Sequence, residues 1–210
     1  MLIKCSLTGL LKGLNRALCL LVTLPLMGGA QEPGSNLGLP AVAAVGFHGG
    51  FARLERSSDG QEAGLLLDLG WMRGRSVRLQ GEVAFLRATL TETLVLEDST
   101  FHGDYFDLTA GVSAVWLGAP DARVSPYALV GVAVHALSSA FGNLVLDQRY
   151  NANRFGSHVG AGIRLRIGAS RQAVFAEARR VISDHVNRTE VRFGGLILMG
   201  DLYRRATGIR

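Results

Sequence analysis

Beyond residue 30 this chain contains no cysteine and no lysine; Cys5, Cys19, Lys4 and Lys12 all precede that point. The remainder therefore has no disulfide and no thiol chemistry, and every basic side chain in it is an arginine. Long hydrophobic runs are also missing. Although 48% of the chain is hydrophobic, no stretch after residue 30 reaches the ~18 uninterrupted apolar residues of a membrane-crossing helix. Surplus charge is scarce too. The formal +5 includes Lys4, Lys12 and Arg16, which stand before the first acid, Glu32, and without them the charge is +2. Basicity thus gives no reason to expect a nucleic-acid partner.

What is present begins with an export signal. Lys4, Lys12 and Arg16 make a basic start, 17–27 (ALCLLVTLPLM) a short apolar core, and Gly28-Gly29-Ala30 a small-residue cleavage site. The core is shorter than the about 20 residues a spanning helix needs. Cys19 does not suit a lipoprotein, since Leu18 stands where a small residue is wanted. We read 1–30 as a cleaved signal peptide, 31–40 as a periplasmic N-terminal segment, 41–200 as one domain and 201–210 as a short tail.

The domain is a series of alternating segments. In a strand, successive side chains point to opposite faces, so an apolar residue at every second position marks a ribbon with one greasy side. Eight such segments occur, at about 41–54, 62–72, 77–88, 103–117, 124–137, 154–168, 172–182 and 190–199, and the period of the third continues through Thr89, Thr91 and Thr93 as an alternative to a loop from 90. The sixth is the cleanest: Phe155, Val159, Ala161, Ile163, Leu165 and Ile167 alternate with Gly156, His158, Gly160, Gly162, Arg164 and Arg166. Trp71, at the end of the second, suits an interfacial aromatic. The links after segments 2, 4 and 6 are short; those after 3 and 5 are long, as in outer-membrane barrels with tight periplasmic turns and longer outer loops. The expected fold is all-β, an eight-stranded antiparallel up-and-down transmembrane β-barrel.

Eight strands leave a lumen that side chains fill. Asp68, Arg78, Glu82, Asp107, His158, Arg164, Arg166, Glu177, Arg179 and Arg192 fall on the faces opposite the apolar ones. Both signs are present, and arginine's fork matches a carboxylate at two points, so a paired plug is expected. Glycines on the lumen faces of strands 1, 5 and 6 are expected to make room for the guanidinium groups.

Pro126-Tyr127-Ala128-Leu129-Val130-Gly131-Val132, Gly160-Ala161-Gly162-Ile163 and Phe175-Ala176-Glu177-Ala178-Arg179 carry a resemblance to the small eight-stranded outer-membrane barrels, the porin-like family of the OmpA transmembrane domain and the OmpX and Ail surface proteins. The resemblance covers nearly all of 41–200. It implies integral residence in the outer membrane of a Gram-negative bacterium and lumen roles for Glu177 and Arg179. Family barrels commonly finish on an aromatic residue used in insertion; here the chain runs on to Arg210, with Phe193 or Tyr203 as substitutes. The tail is too short for a peptidoglycan-binding domain.

No catalytic site, cofactor or metal site is expected. Ser157 and His158 are strand neighbours and point to opposite faces, so they form no nucleophile–base pair. His135 and His158 are expected to face each other across the fifth and sixth strands; His48 is a further candidate if registers cooperate, but a third metal ligand is lacking. Asp184-His185 reads as a polar outer loop. The glycines of strand 6 alternate within a strand with no helix following, so they form no nucleotide loop. The two long loops are the candidate binding surfaces: 90–101 with Glu92, Glu97 and Asp98, and 138–153 with Phe141, Leu144, Arg149 and Tyr150. The Leu-Val-Leu of the second is expected to extend a hairpin whose edge receives a partner strand. The leading reading is a monomeric, non-enzymatic barrel, structural or surface-binding, in contact with outer-membrane lipid and with a surface protein or extracellular ligand. Its competitors are an outer-membrane acyl hydrolase or transferase, whose His-x-Ser-Asn type of motif is not visible here, and a soluble lipocalin-like binder, which would need apolar lumen faces and polar outer faces.

Overall fold

The computed structural model describes residues 43–55, 59–73, 76–94, 99–168, 172–184 and 187–199, with backbone alone at 71–73, Leu94 and Arg149. The signal peptide, the 31–40 segment, the tail, the turn tips at 74–75 and 169–171, Glu97, Asp98, His185 and the side chains of Trp71 and Arg149 lie outside the described residues.

Eight strands follow in chain order: β1 (Ala44–Leu54), β2 (Asp59–Arg73), β3 (Val77–Leu94), β4 (Ser99–Leu117), β5 (Val124–Ala140), β6 (Asn153–Arg166), β7 (Gln172–Ser183) and β8 (Arg188–Leu198). Each pairs antiparallel with its neighbour in sequence, and β8 returns to β1 with Ala44 opposite Leu198 and Leu54 opposite Arg188. The sheet is therefore a closed barrel, and closure leaves no edge strand.

The alternation read from the sequence holds on every strand, and it is inside out. Phe155 is 72% exposed, Phe47 64% and Phe51 62%, whereas Arg192 is 2% exposed and Glu190 fully buried. Leu65, Phe85, Trp116, Val130, Ile163, Phe193 and Ile197 join the exposed apolar wall. Water would not tolerate a continuous wall of this kind, but hydrocarbon would.

The wall ends in a polar rim. Above the stacked rings of Phe85 and Phe106, 5.9 Å apart, the outer faces of β3 and β4 carry an Arg87–Asp104 ion pair at 3.8 Å, Thr91 against His102 and Thr93 against Thr100. Across the barrel, Arg180 pairs with Glu55 and donates to Thr189 at 2.9 Å.

Two loop expectations need correction. Most of 90–101 is paired strand, running to Leu94 opposite Ser99, because Thr89, Thr91 and Thr93 keep the strand period. The segment 138–153 contains no added strand: Leu144–Tyr150 is a helix, α1. Asn143 caps it, its Oδ1 accepting from the amides of Val145 at 3.0 Å and Leu146 at 3.3 Å. Leu146 and Tyr150, four apart, share the inward face of one helical turn.

Candidate functional site

The lumen is built in layers along the barrel axis. At the mouth where the short turns gather, Asp68 accepts from Arg78 Nε at 2.9 Å and lies 3.8 Å from Arg164 Nη2. Arg166 Nη2 donates to the Pro120 carbonyl at 2.6 Å. Next comes an apolar layer of Leu66, Val115, Leu117, Leu129, Phe175 and Leu196. The sequence reading overlooked it, because large aliphatic residues on both faces of β2, β4 and β5 blur the alternation.

The charged middle follows. Glu82, from β3, accepts two guanidinium forks: Arg179 at 3.2 and 2.9 Å, and Arg192 at 2.9 and 2.6 Å. Arg179 Nε also reaches Glu177 at 3.0 Å, and Tyr127 donates to the other Glu177 oxygen at 3.0 Å. Arg192 bridges onward to Glu62 and lies 3.2 Å from Glu190. Arg188 joins Glu190, at 2.5 Å, to Asp107. Strands β2, β3, β4, β7 and β8 are thus tied across the lumen by charge-assisted bonds in a site without water competition.

Above this, Leu54, Leu86, Leu90, Tyr105, Leu137, Phe141, Leu146 and Tyr150 form a second apolar layer. Helix α1 closes it like a cork. Asp147 Oδ1 accepts from the Phe141 amide at 2.8 Å, Asn151 Oδ1 from the Ser139 amide at 2.7 Å, and the Tyr150 hydroxyl donates to Glu92.

Asp68, Arg78, Glu82, Asp107, His158, Arg164, Arg166, Glu177, Arg179 and Arg192 all point inward, as their strand parity requires. They do not form one network. Glu82, Asp107, Glu177, Arg179 and Arg192 meet in the middle; Asp68, Arg78, Arg164 and Arg166 stay at the short-turn mouth, beyond the apolar layer. Sequence reasoning missed Glu62, Arg188 and Glu190. The signal was there: Arg188, Glu190 and Arg192 are spaced by two, and Glu62 shares the parity of Asp68, but all three sit at strand ends where boundaries are hardest to read.

Three expectations change. His135 and His158 do not face each other, since Gly131 is opposite His158 and His135 opposite Arg154. Each turns to β4 instead: His135 Nδ1 to Asp107 at 2.9 Å and to Thr109 at 3.0 Å, His158 Nε2 to Ser113 at 2.7 Å. The lumen glycines make room for guanidinium side chains only in part: Gly50 lies against Arg192 and Gly160 against Arg179, but Gly131, Gly156 and Gly162 lie against the rings of His158, His135 and Tyr127. Lastly, Phe141 and Tyr150 are buried in the cork and present nothing outward, whereas Leu144 and its neighbour Val145 are exposed.

Among the described residues, neither Ser157–His158 nor the buried hydroxyl–imidazole contacts form an open nucleophile–base arrangement. Ser157 lies on the outer wall and His158 in the lumen. Ser113 and His158 do pair, but both are buried beneath apolar layers. Thr109 and Asp107 contact the same nitrogen of His135, whereas a hydroxyl–imidazole–carboxylate relay uses both. Among the described residues His48, Glu62 and Glu82 bring potential ligand atoms within 4.8 Å of one another. Both Glu82 oxygens, however, already accept from arginine.

No protein-family model matches the sequence, and no curated protein does. Solved structures do share the fold. Neisserial surface protein A has 15% identity over 75% of this chain and 97% of its own, with a TM-score of 0.54. Ail of Yersinia pestis, solved with the heparin analogue sucrose octasulfate, has 14% identity over 72% and 93%, with a TM-score of 0.47. The outer membrane enzyme PagL has 18% identity over 74% and 99%, with a TM-score of 0.46. The chain has the fold of the eight-stranded outer-membrane barrels, and at these identities the likeness is one of fold.

Proposed function

We propose that this chain is an integral outer-membrane barrel, non-enzymatic and monomeric, whose work is done at its outer end and whose lumen conducts nothing. The observation that carries this is the inside-out distribution of polarity: an exposed aliphatic and aromatic wall around a buried arginine–carboxylate core. Such a wall requires hydrocarbon as its solvent. A soluble lipocalin-like binder would need the opposite arrangement.

The outer end supplies the surface for a partner. The paired arms of β3 and β4 project beyond the apolar wall and present hydroxyls and charges, and the exposed Leu144 and Val145 of α1 offer a small greasy spot beside them. A protein or extracellular ligand at the cell surface fits this mixed character. Membrane fractionation combined with the heat-dependent gel shift of closed barrels tests location and closure together. Recovery in the soluble fraction, or absence of a shift, would overturn the reading.

A second reading, a lipid-modifying enzyme, would need the buried Ser113–His158 contact at 2.7 Å to open to an acyl chain. Lipid A mass spectra recorded with and without expression separate the two; an altered acyl pattern that Ser113→Ala abolishes would establish the enzyme.

A further inference from the structure

The short-turn mouth of the barrel holds a cavity of about 90 Å³ lined by Arg78, Arg123, Arg164, Arg166, Ser125 and Asp121. Its charge is unbalanced. Four guanidinium groups face one lining carboxylate, and Asp68 behind the wall is already shared between Arg78 and Arg164. The charged middle has the opposite surplus, five carboxylates (Glu62, Glu82, Asp107, Glu177, Glu190) facing Arg179, Arg188 and Arg192, but the apolar layer of Leu66, Leu117 and Phe175 keeps the two apart.

Among the described residues, two donors at this mouth are buried with no partner. The Ser125 hydroxyl, in a residue only 4% exposed, has no hydrogen-bond partner, and neither does Arg164 Nε. An unmet buried donor costs free energy unless something outside the protein meets it. Ala122 and Arg123 line the cavity and are exposed, so it reaches the surface.

We propose that this cavity is a phosphate-binding site at the periplasmic mouth. The guanidinium groups and the hydroxyl that line it come from β3, β5, β6 and the turn before β5, a spread that suits a tetrahedral anion with three or four oxygens better than a planar carboxylate with two. The same chemistry is offered by free phosphate or a phosphomonoester, and by the headgroup phosphate of a lipid in the adjoining leaflet.

The test uses the full chain folded in a non-ionic, phosphate-free detergent and titrated calorimetrically with inorganic phosphate against a chloride background. Saturable millimolar binding is expected, weakened about tenfold by Arg123→Gln or Arg166→Gln and severalfold by Ser125→Ala. The heat-dependent gel shift confirms folding of each variant, and Arg123, being exposed, keeps the test available should Arg166→Gln not fold. Repeating the titration in phosphatidylglycerol nanodiscs identifies the source: binding retained there assigns free phosphate, and binding blocked there assigns the lipid headgroup. Absence of saturable binding in detergent, or binding unchanged in folded Arg123→Gln and Ser125→Ala, would overturn the proposal.

Discussion

Arg192 carries more of the lumen than any other side chain described. It contacts Glu62, Glu82 and Glu190, from β2, β3 and β8, and its removal strands buried carboxylates in a space closed to water. Arg192→Leu is therefore expected to destabilise the folded barrel by about 3–5 kcal/mol, read as a lowered urea midpoint for loss of the gel shift. Arg180 at the outer rim is the control. Its pair with Glu55 is roughly two-fifths exposed, so Arg180→Ala is expected to cost no more than ~1 kcal/mol. Equal costs would mean that the two environments do not differ as their burial implies.

At the scale of elements, α1 is held by a few polar bonds around an apolar plug. Asn143→Ala removes its N-cap, expected to cost the helix about 1 kcal/mol. Asp147→Ala releases the amide of Phe141 and the hydroxyl of Ser139. Limited trypsin digestion checks this: cleavage after Arg149 is expected to be faster in Asp147→Ala than in the wild type, with the barrel itself resisting. Unchanged cleavage would show that Leu146, Phe141 and Tyr150 hold the cork without the polar bonds. Strand lengths carry a related point. A tilted strand needs about 9–11 residues to cross a bilayer, and β1 and β8 have 11 each, whereas β4 has 19. The surplus is all at the end bearing α1, which is why that end projects.

For the whole molecule the proposed function implies a lumen that conducts nothing. Two apolar layers sandwich the ionic middle, so the seal does not depend on any single one of them. Planar-bilayer recordings of the wild type are expected to show no large, steady conductance. Deleting 142–151 is expected to leave that unchanged, because the layer of Leu66, Leu117, Leu129, Phe175 and Leu196 persists below. A stable pore in the deletion variant would show that the cork alone is the barrier.

The sequence by itself determined the strand number, the parity of each strand and therefore which residues face inward, because the strand period is two and one face of each ribbon is greasy. It also determined that Glu177 and Arg179 belong to the lumen. It left open who meets whom. Partnerships such as Arg192 with Glu62, or His158 with Ser113, join residues far apart in the chain, and their pairing depends on barrel stagger and on rotamers that local spacing does not encode. Segment 144–150 was misread for a related reason: a seven-residue apolar-rich run suits strand or helix equally, and the cap at Asn143 and the cavity that receives Leu146 and Tyr150 decided between them. Only the tertiary structure separated the basic mouth from the ionic middle, since a layer of aliphatic side chains from several strands has no signature in any one of them.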